Sequence, residues 1–533
     1  MKNRKKIFHY SILAGILLLA IFLRVYNIDN TPSGIYPDEA NNGTNAYDAM
    51  ISGNYEWFYP DNNGREGLFL NMIGLSFKLF DVSMFSLKLP SIFFGVLTVL
   101  GVYLLCRELF RKKPHIALIA SYLTAVSFWA INFSRIGFRA IMLPAILTFT
   151  FYFLFRGLRT FEPSKKNYLP LYNFVIAGFI FGLGMHSYIA FRIAPLILIT
   201  TFIALLITYR HFLKNYWHGI LLFILFTFVS AAPMLWTFHA HPELVNSRSG
   251  SISILSQEVN EGNLFGTLAE TVSLSMAKFN FYGDPNWRHG YPPYPTLELI
   301  VGIAFLFGII YSFILFFKSC RTIKQERQRE SPSPTNTFVI YTLLLSWFFV
   351  MLIPEFMTRE GLPHALRSIG TLPVVYIFAA LTFNFILTKA KERSAQTYAL
   401  TFAFVLIMLF YVGLFNTIKY HIFWAQHAKV AFSFNKDLTD IARYIQTLPS
   451  EQPKYVVTGS LTRLPILLLN EETNNLTFLY DHELDQIDHS QEFIVLTGSN
   501  DEYLAIRLTE QDPNLNITKH DRPNSHFYEV YKK

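Results

Sequence analysis

Apolar runs long enough to cross a bilayer recur along most of the chain, and they constrain its fold more than any other feature. A spanning helix needs roughly 20 apolar residues. On that criterion about eleven candidates lie near 7–23, 84–106, 115–133, 140–156, 169–185, 194–209, 218–238, 297–317, 337–353, 370–388 and 397–415. Composition agrees. Hydrophobic residues make up 52% and charged residues 15%, with 53 Phe and 29 Tyr, whereas a soluble domain carries about 25% charged residues. Much of the surface must therefore face lipid. The predicted fold class is mainly α, a polytopic membrane protein with about eleven transmembrane helices.

Lys and Arg placement orients such a chain. The first run follows Lys2, Arg4, Lys5 and Lys6, and Arg24 comes after it with no small-residue cleavage site, so it reads as a retained anchor. Every second loop is basic: Arg107, Arg111, Lys112 and Lys113; Arg156, Arg159, Lys165 and Lys166; Arg210 and Lys214; Lys318 to Arg329; and Lys389, Lys391 and Arg393. These loops and the N-terminus are predicted to be cytoplasmic. Loops 24–83, 134–139, 186–193, 239–296 and 354–369 then face outward. An odd number of spans also leaves the C-terminal segment outside a plasma membrane. The net charge of +8 is explained by topology and does not point to nucleic acid. Cys106 and Cys320 sit at inner ends of spans, where they form neither a disulfide framework nor a metal site.

The segment after 416 changes character. It is polar, with strand-like runs at Tyr455-Val456-Val457, Ile466 to Leu469 and Phe493 to Leu496, and a helix-like stretch from Asp437 to Leu448. Such alternation predicts a small α/β domain over 417–533, outside the membrane domain of 1–416. It carries no nucleotide fingerprint. Arg327 to Asn336, with Ser331-Pro332-Ser333-Pro334, reads as a flexible cytoplasmic loop.

Chemistry concentrates in the outer loops. Asp38 and Glu39 follow Pro37, and Ala40, Ala46, Tyr47, Ala49 and Met50 continue with helical spacing. Proline at a helix start and acids in its first turn suit the helix dipole, and an ionised Asp38 can accept a proton from an attacking hydroxyl. An isolated pair of this kind is ordinary helix chemistry. Here the other outer loops add Arg65 and Glu66; Arg135 and Arg139; His186, Tyr188 and Arg192; Arg288 and His289; and His364 and Arg367. The positive-inside bias disfavours outer arginines. A set of them beside acids matches a phosphate, whose oxygens fit the guanidinium fork.

Three stretches carry a family resemblance: Tyr36-Pro37-Asp38-Glu39-Ala40; Gly64-Arg65-Glu66-Gly67-Leu68-Phe69-Leu70 with the following span; and Ser134-Arg135-Ile136-Gly137-Phe138-Arg139. Asn286-Trp287-Arg288-His289 and His364-Ala365-Leu366-Arg367 add to it. Over roughly residues 1–416 the chain resembles the bacterial protein O-mannosyltransferase family. That family is similar to the aminoarabinose transferases of lipid A, within the type C glycosyltransferase superfamily. The resemblance implies a polyprenyl-phosphate sugar donor in the outer leaflet, transfer with inversion to a glycan, lipid or protein acceptor, and no nucleotide on that face. It makes Asp38 the catalytic aspartate and Glu39 its acidic neighbour. The lipid A transferases carry a lysine before a proline where this chain has Arg65-Glu66-Gly67, so Arg65 is a substitute and not an equivalent. No cofactor is required by the sequence, and a divalent metal beside the carboxylates stays an open alternative. The competing class is a transporter of polyprenyl-linked sugar or lipid, which would show paired repeats and interrupted midplane helices; no internal repeat is evident.

Overall fold

Among the described residues of the computed structural model, ten helices are long and apolar enough to cross a membrane. The structure describes residues 2–162, 167–245, 253–328, 335–471 and 473–532. The ten run from Lys6–Val25 to Ala395–Trp424 and coincide with ten of the expected spans. The eleventh, near 115–133, is broken. Helix Pro114–Val126 stops at Ser127, whose hydroxyl accepts the Ala130 amide and starts helix Phe128–Phe133. Ser331 to Pro334 lie outside the described residues.

Two further apolar helices, Gly67–Phe80 and Leu264–Ala277, are too short to span. The acidic pair opens helix Pro37–Ser52, with Pro37 in its first turn. The helix ends at Gly53, whose φ of 76° gives the left-handed cap that favours glycine.

The last span closes in a π-helical turn, Lys419–Trp424, that leads into the tail. Its sheet follows a two-residue ribbon in the first loop, β1 (Phe58–Tyr59) paired with β2 (Arg65–Glu66). The tail strands are β3 (Lys454–Val457), β4 (Leu476–Leu479), β5 (Ile494–Thr497), β6 (Leu515–Arg522) and β7 (Ser525–Lys532). Their order is β4-β3-β5-β7-β6, with β3 parallel to β4 and β5, and β7 antiparallel to β5 and β6. A small α/β unit is thus present. The run Ile466 to Leu469 is not a strand, however. It lies in helix Leu464–Leu469, with Pro465 in its first turn, where proline's fixed φ suits a helix start.

The tail braces the segment that delivers Asp38. Ile35 donates its amide to Thr439 Oγ1 at 3.1 Å, and Arg443 Nη2 donates to the Asp29 carbonyl at 2.5 Å. A Cβ at Gly34 would fall 2.3 Å from the Phe434 carbonyl oxygen, so only glycine allows this approach.

Candidate functional site

Residues from all of the predicted outer loops meet in one cleft of about 280 Å³. Asp38, Arg65, Arg139, Tyr188, Arg288, His289, His364 and Arg367 all line it. Asp38 is half-buried in the first helical turn, and Asn62 Nδ2 donates to its Oδ1 at 2.8 Å. Asn62 and Asn63 have φ of 49° and 64°, and Gly64 follows at 82°. This Asn-Asn-Gly turn suits left-handed backbone and returns the chain into β2, which presents Arg65.

Arg65 is buried. Its Nη1 donates to Asn42 Oδ1 at 2.8 Å and its Nη2 to Asn45 Oδ1 at 2.5 Å. Burial, then the nearby Arg139 charge, lower its pKa to about 10, while Asp61 and Asp38 pull the other way. Arg288 lies with its guanidinium carbon 5.0 Å from the centre of the Tyr36 ring and donates from Nε to Asn286. Among the described residues neither Arg65 nor Arg288 has a carboxylate in ion-pair contact. Arg139 and Arg367 differ. Arg139 pairs with buried Glu66 at 2.5 Å, and Arg367 pairs with Glu360 at 3.0 Å.

Several sequence candidates do not line the cleft. Glu39 is fully buried and takes the Gly137 amide at 2.8 Å. Burial pushes its carboxyl up, against the pull of Lys88 and of that amide. A Cβ at Gly137 would lie 3.0 Å from Glu39 Cγ, so the glycine lets the carboxylate come close. Arg135 turns away to the Leu23 and Thr31 carbonyls. His186 bonds the Ser230 carbonyl at 2.9 Å. Glu66 and Arg192 line a small crevice behind Arg139, where Arg192 Nη1 donates to the Val245 carbonyl.

His289 and His364, which line the cleft, form with Asp284 a cluster that sequence spacing did not reveal. Asp284, His289 and His364 bring their ligand atoms within 4.8 Å of one another. Asp284 accepts the Asn286 amide through Oδ1 and the Ala365 amide through Oδ2, so one carboxylate ties two loops together. Among the described residues the buried His289 Nδ1 has no hydrogen-bond partner, and it lies 3.4 Å from Asp284 Oδ2. Below the 360–367 loop, Lys278 pairs with Glu355, which also accepts the His364 amide at 2.9 Å. Trp424 Nε1 donates to the Trp287 and Gly290 carbonyls, so the π-helical end of the last span supports the Arg288 loop.

Residues 68–236 match the family model of dolichyl-phosphate-mannose-protein mannosyltransferases. No curated protein matches the chain. Among solved structures, the fold is similar to ArnT from Cupriavidus metallidurans bound to undecaprenyl phosphate, at 12% identity and a TM-score of 0.53, covering 99% of this chain and 98% of that one. It is also similar to the oligosaccharyltransferase AglB from Archaeoglobus fulgidus in complex with an inhibitory peptide and a dolichol-phosphate. There the identity is 16% and the TM-score 0.52, with 98% of this chain and 74% of that chain covered. A complex of the Archaeoglobus enzyme with Zn and sulfate gives 15% and 0.50, over 97% and 72%. The chain shares the fold of these structures, the type C glycosyltransferase fold, as the motifs led us to expect.

Proposed function

We propose that the chain transfers a sugar from a polyprenyl-phosphate donor to an acceptor on the outer face of the plasma membrane, with inversion at the anomeric carbon. One observation carries this reading. A half-buried aspartate shares a cleft with Arg65 and Arg288, which among the described residues make no direct ion pair with a carboxylate. The relatives bound to undecaprenyl phosphate and dolichol-phosphate support the donor class.

In this reading the acceptor hydroxyl oxygen attacks the anomeric carbon while the bond from that carbon to the phosphate oxygen breaks. Asp38 accepts the hydroxyl proton, and Asn62 holds the carboxylate in place. Phosphate leaves as an anion and is stabilised by positive charge fixed in advance. Arg65 and Arg288 supply that charge, with Arg139 and Arg367 further along the wall. Glu39 is a positioning residue, since it anchors the Gly137 backbone beside Arg139. Residues 1–416 form the transferase unit, and 417–533 a separate extracytoplasmic unit.

Asp284, His289 and His364 offer one oxygen and two nitrogen donors, a set suited to zinc and similar divalent ions, and the unpartnered His289 nitrogen fits such an ion. A cation held there would add positive charge near the leaving phosphate. The expected result is a divalent ion retained by purified wild-type protein and lost from His289→Ala, read by elemental mass spectrometry. Equal metal content in both proteins would remove the site.

Orientation is tested by labelling. A cysteine at 332 should resist impermeant thiol reagent in intact cells, and a cysteine replacing exposed Asn500 should react. The reverse pattern would invert the topology and move the cleft to the cytoplasm.

A further inference from the structure

The tail contains a second crevice, of about 370 Å³, lined by both polar and apolar groups. Strand order explains its place. The chain passes from β3 to β4 on one side and then to β5 on the other. The loops leaving β3 and β5 therefore diverge, and a crevice opens at their carboxyl ends, where open α/β sheets bind ligands.

Its lining comes from these loops. Thr458 and Thr462 follow β3, with their hydroxyls 2.7 Å apart. Asp481 follows β4 and accepts from the Tyr503 hydroxyl at 2.9 Å. Asp501 follows β5 and is half-buried. Burial first, then the Asp437 charge, push its carboxyl above the usual range. No Lys, Arg or His lines this crevice among the described residues, so a phosphate or carboxylate would find no counter-charge. The three carboxylates Asp437, Asp481 and Asp501 in the lining disfavour a lipid tail. Carboxylates, hydroxyls and amides suit a ligand rich in hydroxyl donors. Tyr480 and Tyr503, 40% and 54% exposed, offer aromatic faces at the rim.

Shared lining residues connect the crevice to the catalytic cleft. Between them lies a third cavity of about 340 Å³. It shares Asn286 and Arg288 with the cleft, and Asn435, Asp437 and Asn500 with the tail crevice. A single chain of linked polar units could therefore occupy all three.

We infer that the tail carries a sugar-binding subsite and that the acceptor is a glycan chain, held there at one end and presented to Asp38 at the other. This inference rests on the transferase reading and names its acceptor class.

The test uses the full chain in detergent, with cellotetraose and chitotetraose as glycan probes. A Ser/Thr-rich decapeptide and Ca²⁺ alone serve as the alternative ligands. Binding is followed by saturation-transfer NMR and calorimetry. At least one tetrasaccharide should bind, and Asp501→Asn should weaken it roughly tenfold or more, the loss expected for a charge-assisted hydrogen bond. Tyr503→Ala should weaken it about threefold through the lost aromatic face. Circular dichroism and gel filtration check that both variants fold. Tetrasaccharide binding unaffected by both substitutions overturns the subsite. So does binding of the peptide or Ca²⁺ only, or of no probe. Undecaprenyl phosphate is titrated into the same wild-type sample. If it binds while the glycans do not, the subsite fails and the transferase reading stands; if it fails to bind, the transferase reading falls and the acceptor role goes with it.

Discussion

Asp38→Asn is expected to lower sugar transfer by about 100-fold or more, the low end for losing a positioned general base. The fold should survive. Amide and carboxylate are similar in size, and Asp38 sits half-buried at the cleft wall with one neutral partner, Asn62. Among the described residues Asp38 makes no ion pair that the change would break, although buried Arg65 loses part of the opposing charge nearby. Glu39→Gln should act differently. It removes a buried charge that holds the Gly137 amide, so it should shift thermal stability while lowering transfer less than Asp38→Asn. Turnover and melting temperature of both purified variants check the pair. Near-normal turnover in Asp38→Asn would take that residue out of catalysis.

Arg65→Gln and Arg288→Gln should each weaken donor binding by roughly 10- to 100-fold, the value of a charge-assisted hydrogen bond to phosphate. Arg139 and Arg367 should matter less, because Glu66 and Glu360 already balance their charge. Lysine should rescue only in part, since it supplies charge without the planar fork. At position 65 the fork also bonds Asn42 and Asn45, so Arg65→Lys should recover less than Arg288→Lys. Donor and acceptor dependence are measured separately. Unchanged donor affinity in both glutamine variants, with a loss in Arg139→Gln, would place the phosphate at the Arg139 wall instead.

Much of the membrane fold was legible because the bilayer imposes length and polarity on each helix. Ten spans fell where the apolar runs placed them. The break at Ser127 was not legible, since Pro114–Val126 and Phe128–Phe133 form one unbroken apolar run in sequence. Helices Gly67–Phe80 and Leu264–Ala277 escaped for a related reason: neither is long enough to register as a span. In the tail, Ile466 to Leu469 looked like a strand because a short apolar run carries no period; Pro465 was the signal for a helix.

The site was legible by residue type more than by direction. Asp38 and Glu39 are adjacent, so on a helix they point about 100° apart; the structure turns one to the cleft and the other to the core. Asn42, one turn after Asp38 on the same face, could have been found by that spacing and was missed. Arg135 and Arg139 part because Arg135 satisfies the backbone at Leu23 and Thr31. The convergence of Asp284, His289 and His364 depends on two loops meeting across the fold, and no local pattern encodes it.

The central claim is that this cleft cleaves a sugar–phosphate bond of a polyprenyl-linked donor. The most direct measurement reconstitutes the protein in proteoliposomes with a panel of polyprenyl-phosphate sugars and follows free polyprenyl phosphate by mass spectrometry. Release by wild type with an added glycan acceptor, and its loss in Asp38→Asn, is the predicted result. Movement of intact donor across the bilayer without release would identify a transporter and contradict the account.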